Sequence, residues 1–108
     1  MNTYTPDRWV LIEIDRGHKK TRKILSGWYG GYTDSDKWRL SSGITSSQEF
    51  DDRFEFTNYS GSKYICMKDS YGMSSYTASV YESFVNGAAD IIHLLTEEEA
   101  FSKERANE

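Results

Sequence analysis

A chain of 108 residues that is 37% apolar, 28% charged and 15% aromatic can build one globular core rich in large rings, which excludes a disordered or fibrous polymer. No apolar run approaches the roughly 20 residues of a membrane helix, the start MNTYTPDRWV has neither the basic nor the apolar region of a secretion signal, and the lone Cys66 has no partner for an internal disulfide. A single cytoplasmic domain over residues 1–108, with no membrane contact, is the expectation; its net charge of −4 is uneven, residues 1–81 standing at +1 and residues 82–108 at −5.

Trp9 to Ile14 is an apolar, β-branched run that suits a strand covered on both faces. The turn residues Asp15 to Lys20 follow, and Thr21 to Tyr29 returns as a second strand, with Ile24 and Trp28 on one face and Leu25 and Tyr29 on the other. Gly30-Gly31 and Asp34-Ser35-Asp36 mark the next turn. A third strand is read at Lys37 to Ser41, which places Trp28 and Trp38 on adjacent strands as a cross-strand aromatic pair. Ser46-Ser47-Gln48 reads as polar loop. Arg53 to Tyr59 alternates strictly, Ser60-Gly61-Ser62 is a tight link, and Lys63 to Lys68 is a fifth strand.

The period then changes. Thr77, Val80, Tyr81 and Phe84 recur at helical spacing, with Ser74 or Ser75 as N-cap and Asn86-Gly87 as the stop, so residues 75–85 predict a helix, with a sixth strand as the alternative. A last strand is expected at about 90–95. Thr96-Glu97-Glu98-Glu99 is a capping box that opens an acidic helix at about 97–105. The sum is an α+β fold: an antiparallel meander of five to six strands over residues 8–68, with one or two C-terminal helices and either an open or a closed sheet.

Catalytic patterns are missing from this reading. The serines occupy turn or cap contexts without an acyl-transfer elbow, Cys66 on an alternating strand reads as a small core residue, and Asp51-Asp52 would point to opposite faces of a strand. Cys66, His18 and His93 are too scattered for a zinc site; His93 reads as partly buried and His18 as solvated. No glycine-rich phosphate loop occurs. No enzyme activity, metal or cofactor is expected.

Two binding surfaces remain. Tyrosines near turns, Tyr29, Tyr32, Tyr59, Tyr71 and Tyr76, belong to a residue type enriched where partners bind. Tyr29, Tyr32, Tyr71 and Tyr76 with the acids Glu97, Glu98 and Glu99 form one candidate surface for a protein partner. The cluster Arg16, Lys19, Lys20, Arg22 and Lys23, with Trp28 and Tyr29 as stacking platforms, is the alternative, a site for a nucleic-acid backbone.

Asp7-Arg8-Trp9-Val10, Gly27 to Gly31, Trp38 to Ile44, Ser60-Gly61-Ser62 and Tyr71-Gly72-Met73-Ser74 give residues 7 to about 80 a pattern that resembles small accessory proteins of tailed bacteriophages and prophages. The resemblance transfers no catalytic residue and implies a setting: a non-catalytic module, monomeric or homodimeric, in the cytoplasm of a host cell. There it would bind and inhibit a host protein, such as a defence or nucleic-acid-handling protein with a basic groove.

Overall fold

In the computed structural model the described residues are 2–30, 36–88 and 90–106, the last four without their side chains. The strands are β1 (Thr3–Tyr4), β2 (Arg8–Asp15), β3 (Lys20–Trp28), β4 (Lys37–Leu40), β5 (Ile44–Glu49), β6 (Arg53–Asn58), β7 (Lys63–Met67) and β8 (Ile92–Leu94). The helices are α1 (Ser75–Val85) and α2 (Glu97–Ala106), and a short 3-10 turn spans Lys68–Ser70. The fold is α+β, with the helices C-terminal and the strands mostly antiparallel, in two four-stranded sheets of order β1-β7-β6-β5 and β4-β3-β2-β8. Among the described residues only β1 breaks the antiparallel pattern within the sheets, lying parallel to β7.

The double-sided apolar run explains the layering. Trp9 and Leu11 of β2 face the other sheet, where they join Ile24, Phe54, Phe56, Tyr64 and Cys66 in one core, while Val10 and Ile12 form a second core with Leu25. Tyr81 and Phe84 of α1 cover that second core. The β4-β3-β2-β8 sheet is therefore the middle layer, and β2 is buried from both sides as its composition requires. Ala100 and Phe101 of α2 complete the first core, Phe101 lying stacked on Trp9 at 6.3 Å.

Local chemistry sets the ends of the elements. Ser74 Oγ accepts from Thr77 N at 3.2 Å and caps α1. In α2 the capping box closes in both directions, Glu99 N donating to Thr96 Oγ1 at 3.1 Å and Thr96 N to Glu99 Oε1 at 3.0 Å. Gly30 N donates to Asp36 Oδ1 at 2.9 Å, so Asp36 satisfies a turn amide as its residue type suggests.

Four expectations change. The segment read as a loop at Ser46-Ser47-Gln48 is the body of β5, an edge strand whose ladder to β6 needs backbone partners more than apolar side chains. Trp28 and Trp38 do not pair: the register sets Trp38 opposite Gly27 and Trp28 opposite Lys37, and a one-residue offset sends the two rings to opposite faces. Trp38 packs edge-on against Phe84 of α1 at 5.4 Å, and Trp28 meets Tyr4 at 6.1 Å. His93 is exposed, because β8 is the edge of its sheet. Asp51 and Asp52 lie in the bend between β5 and β6, not in a strand.

Candidate functional site

The basic hairpin gathers five cationic side chains at one end of the molecule's β2–β3 ladder. β2 pairs over its whole length with residues 20–27 of β3, and the two meet at Arg16 to Lys19, where Gly17 adopts φ +87° and Arg16 N donates to Lys19 O at 2.9 Å. Gly17 N also donates to Asp15 Oδ1, so an acid tightens the turn that presents the bases. Arg16, Lys19 and Lys20 are exposed and Arg22 and Lys23 half-buried. Glu13 and Asp15 stand across the ladder from Arg22 and Lys20, so the end of the hairpin is basic by a margin, not uniformly.

β4 pairs with β3 only from Leu25 to Trp28. Beyond that point the chain from Ser41 runs along the edge of β3: Ser41 N donates to Ile24 O at 2.9 Å, and Ile24 N donates to Ser41 Oγ at 2.8 Å. This crossing brings the first residues of β5 beside the basic hairpin. Gly43 lies so close that an added Cβ would sit 3.0 Å from Thr21 Cγ2.

The result is an open groove of about 520 Å³. One wall is Arg16, Lys19, Lys20, Arg22 and Lys23; the other is Ser42, Gly43, Ile44, Thr45 and Tyr59. Tyr59 is 85% exposed, the highest value among the described large apolar and aromatic residues. Its backbone is nonetheless fixed, since Tyr59 N donates to Gly43 O at 2.8 Å and the adjoining Ser60 N to Ser42 Oγ at 3.2 Å.

The tyrosine and glutamate set is not gathered in this groove. Tyr71 is part of the core: its hydroxyl donates to Leu95 O at 2.7 Å and accepts from Leu11 N at 3.1 Å, and its ring stands edge-on to Trp9 at 4.8 Å. Burial pushes its hydroxyl up from 10.0 to about 12, the Leu11 N–H partly offsetting this. Glu99 is held in the capping box of α2. Tyr29 at 56% and Tyr76 at 39% are exposed, as are Glu97 and Glu98, while Tyr32 lies outside the described residues.

Trp28 and Tyr29, expected as the stacking aromatics of the basic hairpin, do not line this groove, and Tyr59, one of the turn tyrosines but assigned to neither candidate site, does. Its signal was an aromatic residue ending an alternating strand directly before Ser-Gly-Ser. Among the described residues no three His, Cys, Asp or Glu side chains converge as metal ligands. Cys66 is buried, and burial raises its thiol well above the usual range, which keeps it protonated and inert. No described helix is long and apolar enough to cross a membrane. Compared with known protein families, curated proteins and solved structures, the chain matches none.

Proposed function

We propose that this protein binds nucleic acid through the groove between the β2–β3 hairpin and the Ser42 to Thr45 crossing. One observation carries the reading: five cationic side chains and a highly exposed tyrosine, distant in the chain, line the same open groove. Clustered Lys and Arg attract phosphates by releasing condensed counterions, and an aromatic ring beside them is the usual companion in nucleic-acid grooves. The net charge of −4 does not oppose this, since the acid excess lies in residues 82–108 and a local field governs local binding. A protein partner at Tyr29, Tyr76, Glu97 and Glu98 has no comparable convergence to support it.

The test is fluorescence anisotropy with labelled oligonucleotides across a salt series. Four to five phosphate contacts predict that log affinity falls with log salt with a slope of about −3 for a single strand. Replacing Lys19 and Lys20 together by Gln is expected to flatten that slope by about 1.4, since each lost contact removes about 0.7. Both residues are exposed, so the fold should survive the change. A slope unchanged by the double substitution, or no binding at low salt, rejects the groove.

A further inference from the structure

We infer that the groove selects single strands over duplexes by stacking an unpaired base on Tyr59, a deepening that rests on the nucleic-acid reading above. Tyr59 offers an aromatic face to solvent where burial would ordinarily be favourable, and nothing about its backbone is loose. The turn that carries it is closed from within, Asn58 N donating to Ser62 O at 3.0 Å and Gly61 N to Asn58 O at 2.9 Å. Gly61 supplies the required φ of +90°. The same turn is tied to the neighbouring crossing through Tyr59 N to Gly43 O at 2.8 Å and through Ser42 Oγ and Ser60 Oγ, 3.2 Å apart. The ring is thus carried on a backbone that binding need not order, which lowers the entropic cost of contact.

The two walls divide the ligand. Lys and Arg on the hairpin suit the charged backbone, and Tyr59 opposite them suits what projects from that backbone. In a duplex the base faces are stacked on their neighbours and only base edges reach the grooves. A tyrosine ring beside the phosphates finds a free π-face only where the bases are unpaired, and such stacking tolerates any base. The expected ligand is therefore single-stranded, with little sequence preference and one base held at Tyr59.

Anisotropy with three probes decides it: an oligothymidylate of about 12 nucleotides, a duplex of the same length, and base-free polyphosphate as competitor, each against wild type, Tyr59→Ala and Tyr59→Phe. Expected are tighter binding of the single strand than of the duplex, a loss of roughly ten-fold or more for the single strand in Tyr59→Ala, retention in Tyr59→Phe, and no effect of either variant on polyphosphate competition for the duplex. Thermal melts confirm that both variants fold, as the exposure of the ring predicts. Equal affinity for single strand and duplex, or a Tyr59→Ala variant that binds oligothymidylate as wild type does, overturns the stacking inference and leaves the basic groove standing. No binding of any probe at low salt overturns the groove itself.

Discussion

Tyr71 joins three parts of the molecule through one hydroxyl. It accepts from Leu11 N in the middle strand and donates to Leu95 O just past β8, while its ring closes the aromatic cluster around Trp9. Tyr71→Phe keeps the ring and strips both hydrogen bonds, leaving a buried amide and carbonyl to find other partners, so it is expected to destabilise the fold by about 1–3 kcal/mol in urea unfolding. The same site responds to alkali. Because burial raises the folded hydroxyl to about 12, the folded state resists ionisation more than the unfolded chain near 10.0. Stability is then complete below pH 10 and lost as pH climbs through 12, a loss that Tyr64, also raised to about 12 by burial, shares. Tyr71→Phe should lose less stability than wild type between these limits; equal losses would remove Tyr71 from the account. None of this could be read from the sequence, where Tyr71 looks like any turn tyrosine, because its partners are 60 and 24 positions away. Cys66, by contrast, was legible as a core residue, since strand alternation alone assigns its face.

At the scale of elements, the seating of α1 on β3 depends on the absence of one side chain. A Cβ at Gly27 would lie 2.6 Å from Thr77 Cγ2, and Thr77 is both buried and rigid at its branch point. Gly27→Ala should therefore cost about 1–3 kcal/mol by forcing the helix outward. Thr77→Ser removes the obstructing methyl and keeps the hydroxyl beside Ser74 Oγ and Ser74 O, so in the double variant most of the loss should return. Unfolding free energies that simply add, within about 0.5 kcal/mol, would show that the two sites do not meet. Helix α1 itself was legible, because its spacing and Ser74 cap act over a few residues. β5 was not: Ser, Ser and Gln have turn chemistry, and only the ladder supplied by β6 makes them a strand. The two tryptophans were misplaced for a related reason, since face assignment across strands depends on a register that local pattern does not contain.

Across the whole molecule, the sequence revealed the class, the helices and every strand except β1 and β5, and did not divide the strands between two sheets. That division rests on contacts such as Ser41 with Ile24 and Tyr59 with Gly43, which no periodicity encodes. The groove was half legible for the same reason: its basic wall is one continuous hairpin, whereas Tyr59 reaches it only when β6 is laid beside β5. This divided origin has a thermodynamic corollary. The cations lie on and between β2 and β3 of one sheet and Tyr59 directly after β6 of the other, so unfolding scatters the groups that line the groove and would free any ligand held there. By mass action, an oligonucleotide at a hundred times its dissociation constant should then raise the unfolding free energy by about 2.7 kcal/mol. The midpoint of thermal unfolding becomes a reporter of occupancy that needs no label, climbing with the logarithm of ligand concentration and falling back as salt is added; a midpoint indifferent to both would mean that the ligand binds folded and unfolded chains alike.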